Sequence, residues 1–256
     1  MAKAHVLIVR APGTNRDIET QFAFEQAGAQ ASIVHVNQLL RREVRLADHQ
    51  IFVIPGGFSY GDDIASGKVL ANEFRLKLSE DILGFVETGK LVLGICNGFQ
   101  ALVKAGFLPE LLPGSPQQAT LTNNDSGKFE CRWVHLMANK RSPCVFTRGM
   151  ESLYVPVAHG EGKFVSHESN IPDANIALRY ADERGDITAG YPYNPNGSEK
   201  NIAGVCDTTG RVFGLMPHPE DHIRGTQHPQ WTRLGARKYG DGFKIFQNAV
   251  EWAEHL

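Results

Sequence analysis

The stretch LVLGICNGFQAL, Leu91 to Leu102, decides how this chain is read. Its first half is a short apolar run with strand character, and its second half has the spacing of a helix. Cys96 stands at the junction, between Gly94 and Gly98. With serine at its centre, the same G-x-C-x-G spacing forms the nucleophile elbow of α/β hydrolases. The glycines have a steric reason, because side chains at either position would collide with the neighbouring strand or helix. A helix starting near Asn97 also aims its positive end at the sulfur, which favours the thiolate. Free cysteine is equally at home as a small core hydrophobe, so these residues alone leave Cys96 open between core filler and nucleophile.

Working outward, HVLIVR, ASIVHV, IFVIPGG and LVLGIC are apolar runs that each end near a turn signal. Between them, RDIETQFAFEQAG and DIASGKVLANEFRLKLSEDILGFVETG read as helical. Strands apolar on both faces that alternate with helices imply an α/β fold with a mostly parallel, doubly wound sheet. After Leu112, PGSPQQATLTNNDSGKF reads as a loop, followed by the β-like runs CRWVHLMAN, SLYVPVAHG, NIALRYA, IAGVCD and VFGLMPHPE. GFKIFQNAVEWAEHL closes the chain as an amphipathic helix. The expectation is a single domain over 1–256 with a mixed or antiparallel extension in its second half.

The 256 residues are 42% hydrophobic, enough for a substantial core, and the formal net charge is −2. That balance gives no electrostatic footprint for nucleic acid or an anionic membrane surface. No apolar run has the length of a membrane span, and MAKAHVLIVR reads as a first strand rather than a signal peptide, so a cytoplasmic protein is expected. The four cysteines, Cys96, Cys131, Cys144 and Cys206, form no C-x-x-C pair and no zinc pattern with histidine, so no metal is expected. Packing is the default reading for the last three.

A cysteine nucleophile needs a base, and the base needs an orienting group. GLMPHPE supplies both, with His218 and Glu220 two apart in a stretch that Pro217 and Pro219 make extended. An oxyanion hole could come from IFVIPGG, whose Gly56 and Gly57 end a buried strand. The amides of Gly57 and Asn97 are then the natural donors.

Strand-G-x-C-x-G-x-Q-helix with a late H-P-E resembles the class I (triad) glutamine amidotransferases. RAPGTNRDIET, IPGGFSYGDDIASGKVLA, NDSGKFECRWV, VPVAHGEGKF and GLMPHPED further resemble the branch that serves as the glutaminase subunit of phosphoribosylformylglycinamidine synthase in purine biosynthesis. The resemblance implies a flavodoxin-like fold and hydrolysis of glutamine to glutamate and ammonia through a cysteinyl thioester. It makes Cys96 the nucleophile, His218 the general base and acid, and Glu220 its orienter. It puts the oxyanion amides at Gly57 and Asn97, Gln100 and Gly56 in the glutamine pocket, and His159 and Glu161 in a loop near it. Asn15 and Asp17 are read as caps of the first helix.

The implied partner is an ATP-dependent synthetase subunit that receives the ammonia, with a third small subunit left open. ATP and magnesium are expected on that partner, and no cofactor in this chain, which lacks a P-loop. Met1 and the closing helix fit a separate subunit rather than a fused form. The segment DHIRGTQHPQWTRLGARKYGDG is longer than in the short form of that subunit, and it is read as a solvated or partner-facing loop rather than a metal site, despite His222 and His228. Two alternatives stand beside this reading: another elbow-cysteine hydrolase on the same architecture, and a non-catalytic regulatory subunit.

Overall fold

The computed structural model describes residues 3–113, 115–167, 171–235 and 237–256. Met1, Gly114 of the expected loop and Ala236 of the expected tail therefore lie outside the described residues. In chain order the first half contains β1 (His5–Arg10), α1 (Asp17–Gln26), β2 (Gln30–His35), α2 (Val36–Leu40), β3 (Ile51–Ile54), α3 (Lys68–Glu73), α4 (Ser79–Glu87), β4 (Leu91–Ile95) and α5 (Asn97–Ala105). The second half adds β5 (Ala119–Thr122), β6 (Glu130–Ala138), β7 (Ser152–His159), β8 (Lys163–Ser166), β9 (Ile176–Ala181), β10 (Ile202–Cys206) and β11 (Val212–Leu215). It closes with the short α6 (Trp231–Leu234) and α7 (Phe243–Ala253).

A nine-stranded sheet runs in the order β2-β1-β3-β4-β11-β10-β9-β6-β7. Neighbours from β2 to β11 are parallel, and those from β11 to β7 are antiparallel. This is the α/β sheet with an antiparallel extension that the hydrophobic runs predict, mixed in equal parts, with four parallel and four antiparallel neighbour pairs. Every residue of β3, β4 and β11 is buried, which requires cover on both faces of the sheet. On the helix side, Phe24 of α1 meets Phe246 of α7 edge to face at 5.0 Å.

The topology matters for function at one place. β11 returns from late in the chain to pair in parallel with β4, with Leu215 opposite Ile95. The carboxyl ends of β3, β4 and β11 thus lie side by side, where sites gather in such sheets.

Four expectations change. The long stretch from Asp63 to Gly89 is not one helix: Gly67, at φ 72°, precedes α3, and Phe74–Leu78 forms a π-helical turn between α3 and α4. ATLT, read as loop, is β5 and pairs antiparallel with β8, because Leu121 and Phe164 bury their side chains together. Asn15 and Asp17 do not cap α1: the residue before the helix is Arg16, with no side-chain cap, and Asp17 is buried as the ion partner of Arg10. Cys131 is exposed, whereas Cys144 and Cys206 are buried as packing predicts.

Candidate active site

Cys96 sits at the β4–α5 junction with φ 50° and ψ −104°, a backbone conformation that L-residues rarely adopt. Close packing enforces it. A Cβ on Gly98 would lie 1.9 Å from the carbonyl oxygen of Ile54 in β3, so α5 can start this close to the sheet only because residue 98 is glycine. The thiol is 5% exposed and points toward the carbonyl oxygen of Ala158 at 3.8 Å.

His218 follows β11 at the same sheet edge, anchored by its amide donating to the carbonyl of Pro156 at 2.8 Å. Its Nδ1 is 2.7 Å from Oε1 of Glu220, with both side chains buried. The extended geometry expected of PHPE is not what joins them. A 3-10 turn, Pro219–Asp221, curls Glu220 back beneath the ring. Apart from the Cys96 sulfur beside it, Nε2 of His218 has no hydrogen-bond partner among the described residues. Burial by itself would lower the pKa of His218. The Glu220 carboxylate and the nearby Cys96 sulfur outweigh it and hold the imidazole well above its ordinary value.

Gly57 and Asn97 flank the thiol from β3 and α5. Neither amide takes part in a backbone hydrogen bond among the described residues, so both are available to an anionic oxygen. Gly57 has φ 150°, and a Cβ there would come within 2.8 Å of Gly13 O and Thr14 Cα. Gly56, expected in the substrate pocket, does not line it. Its missing Cβ leaves room for the His218 ring instead.

Beside Cys96 opens a hollow of about 230 Å³, lined by Gly57, Phe58, Asp62, Gln100, Phe129 and the turn from Ala158 to Glu161 among others. Gln100 and Glu161 both line it, as the resemblance implies, but they are also tied to each other: Nε2 of Gln100 donates to the carbonyl of Glu161 at 2.6 Å. His159 lines the hollow as a buried, neutral ring. Its Nδ1 meets Asn124 Oδ1 at 3.1 Å, its Nε2 meets Asn196 Nδ2 at 3.5 Å, and burial together with His218 pushes it down to about 4. It is built to hold the turn, not to move protons.

Sequence reading passed over Asp62, Ser66, Asn124 and Lys104. Asp62 takes Ser66 Oγ at 2.8 Å, Asn97 Nδ2 at 3.2 Å and the Gly67 amide at 3.3 Å. The signal for Lys104 was available in its helical spacing from Asn97 and Gln100, which puts all three on one face of α5.

In the segment after the HPE turn, His222 donates from Nδ1 to the carbonyl of Tyr154 at 2.6 Å and stands edge-on to Trp133 at 5.1 Å. The His228 ring lies 5.2 Å from that of Tyr154 at a tilt of 40°, while Trp231 is exposed. Among the described residues, the one group of three possible metal ligands is His218, Glu220 and Asp221, which belong to the site itself.

The CobB/CobQ-like glutamine amidotransferase domain matches residues 3–253. The chain belongs to the glutamine amidotransferase family. It is 54% identical over 256 residues to the phosphoribosylformylglycinamidine synthase subunit PurQ of Dehalococcoides mccartyi, with all of both chains covered. It is 42% identical to the subunit of the same name from Methanococcus maripaludis, covering 96% of each. Among solved structures it resembles a chain of PurLQS from Thermotoga maritima at 36% identity, TM-score 0.73, covering 98% of this chain and 99% of that one. Within the glutamine amidotransferases the chain is therefore of the PurQ type, an enzyme on the α/β scaffold described above.

Proposed function

We propose that this chain is the glutaminase subunit of phosphoribosylformylglycinamidine synthase. In this reading it hydrolyses glutamine and passes the ammonia to an ATP-dependent synthetase subunit of the same enzyme, with ATP and magnesium bound on that partner. The observation that carries the reading is the strained Cys96 elbow facing a buried His218–Glu220 pair beside an amino-acid-sized hollow. The PurQ relatives, matched over their full or nearly full length, support the partner and the place in purine synthesis. A third, small subunit belongs to the same proposal.

The steps follow from the positions of the groups. His218 Nε2 takes the Cys96 proton, and the thiolate attacks the side-chain amide carbon of glutamine. Negative charge then develops on the amide oxygen, within reach of the free amides of Gly57 and Asn97. Protonated His218 gives its proton to the departing nitrogen, so the C–N bond breaks, ammonia leaves and a glutamyl thioester remains. Water, deprotonated by His218, attacks the thioester, and glutamate leaves as the thiol is restored. Glu220 holds Nδ1–H and stabilises the charged ring at both stages.

Cys96→Ala tests the reading in the assembled enzyme. Glutamine-dependent synthesis is lost and ammonia-dependent synthesis is retained. Loss of both activities in a complex that still assembles overturns the division of labour.

A further inference from the structure

Lys104 is a charged residue in a place where an apolar one would pack. Its side chain is 5% exposed on the inner face of α5. It does not line the hollow beside Cys96 but lies behind the wall that does. Burying an unpaired ammonium costs several kcal/mol, so this one needs partners.

Those partners are two segments distant in sequence. Nζ donates to the carbonyl of Ser66 at 2.6 Å and lies 3.5 Å from Oε2 of Glu161. The same Oε2 accepts the Ser66 amide at 3.2 Å, so one carboxylate oxygen and one ammonium together fix both ends of the Ser66 peptide environment. From Ser66 the chain of bonds runs through Oγ to Asp62, on to Asn97 Nδ2, from Asn97 to Gln100 Oε1 at 3.1 Å, and from Gln100 back to the carbonyl of Glu161. The ring thus closes across the loop that follows β3, the turn that follows β7 and helix α5.

The loop needs holding. Tyr60, Gly61, Asp62 and Gly67 all have positive φ, and a Cβ on Gly67 would lie 2.9 Å from the amide nitrogen of Ala101. A loop this strained, pressed this closely on α5, stays in place only when other contacts over-determine it. Lys104 contributes the one cation among the groups of this ring, set against the two carboxylates of Asp62 and Glu161.

We propose that Lys104 is a positioning residue for glutamine. It pins Ser66 to Glu161 and so fixes the width and shape of the hollow without touching the substrate. The inference rests on the glutaminase reading above and adds a residue to it.

The test uses the chain assembled with its synthetase subunit. Lys104→Met raises KM for glutamine about tenfold and leaves kcat within about twofold, while ammonia-dependent synthesis is unchanged. Lys104→Arg, which keeps the charge, recovers most of the loss. Combining Lys104→Met with Glu161→Gln gives a KM no higher than the worse single variant, because both changes cut the same tie. Should Lys104→Met fail to fold, Lys104→Gln takes its place with the same expected KM rise.

An unchanged KM in a folded variant overturns the proposal, as does strictly additive behaviour of the pair. If wild type itself shows no glutamine-dependent activity while ammonia-dependent synthesis is intact, the glutaminase reading fails, and this proposal with it.

Discussion

The Cβ that Gly56 lacks would lie 2.8 Å from Cε1 of His218, so the first glycine of the pair after β3 is set by a ring that follows β11. Gly56 is therefore a steric partner of the base. Its backbone also anchors the first strand-to-helix turn, since its carbonyl accepts the amides of Asn15 at 3.3 Å and Arg16 at 3.2 Å.

Gly56→Ala pushes the imidazole away from the sulfur while leaving the fold intact, because the other close neighbour is the flexible Arg16 side chain. A displacement of this kind costs about a hundredfold in glutamine turnover. Steady-state kinetics beside a thermal unfolding curve checks it; full activity in Gly56→Ala shows that the ring has room to spare.

Cys96 holds a backbone conformation better suited to glycine. Cys96→Gly is therefore expected to be more stable than Cys96→Ala by about 1 kcal/mol, although both lack glutaminase activity. Gly98→Ala is expected to lose roughly 3 kcal/mol or more, because its new Cβ meets the backbone of Ile54. Urea unfolding of the three variants gives the comparison, and equal midpoints for the two Cys96 variants contradict the strain argument.

Glu220→Gln removes the charge that most strongly offsets the burial of His218. The imidazole pKa falls, and turnover drops by on the order of a hundredfold or more as the charged ring loses its support. A histidine NMR titration reads the first effect independently of the second. A His218 titration unmoved by the substitution rules out Glu220 as its orienter.

A buried group, His159, and a half-buried one, Asp221, make opposing contributions to acid stability. His159 titrates near 4 in the folded chain against 6.5 ordinarily, with burial as the main cause. Between those values the unfolded chain holds a proton that the folded chain refuses, so stability falls as pH drops from 6.5 to 4. Asp221 is pushed up to about 6 from 3.8 by burial and by Glu220 beside it. There the folded chain holds the extra proton, so stability rises as pH drops from 6 to 3.8. Each contribution is on the order of 2–3 kcal/mol, and the two largely cancel. Asp221→Asn removes one side of the balance, and its stability relative to wild type declines by about that amount between pH 6 and pH 4. Urea unfolding at a series of pH values measures it, and a constant difference across the range refutes the assignment.

Much of the site is legible because its decisive contacts are local. A Cβ on Gly94 would meet Gly98 and Leu102 just ahead in the chain, and His218 reaches Glu220 across a single turn, whereas Gly98 answers to Ile54 of β3. The alternation of buried runs with helical spacing likewise identifies the parallel half of the sheet, because strands covered on both faces admit few polar residues. The expected Asp17 cap fails because its buried carboxylate pairs with Arg10, seven residues earlier at the end of β1, and the helix begins after Arg16, beyond Asn15.

What the sequence determined by itself, then, is the set of chemical parts: a nucleophile on a strained turn, a base with its orienter, and glycines where side chains cannot fit. The tertiary structure decided their assembly. Only the parallel pairing of β11 with β4 brings His218 beside Cys96, and only the packing of the β3 and β7 loops on α5 closes the ring through Lys104, Ser66 and Glu161. A close backbone approach leaves its mark in residue type, as glycine, whether the neighbour is near in sequence or far. Contacts between distant segments depend on which surfaces the whole fold buries together, and no short stretch of sequence records that choice.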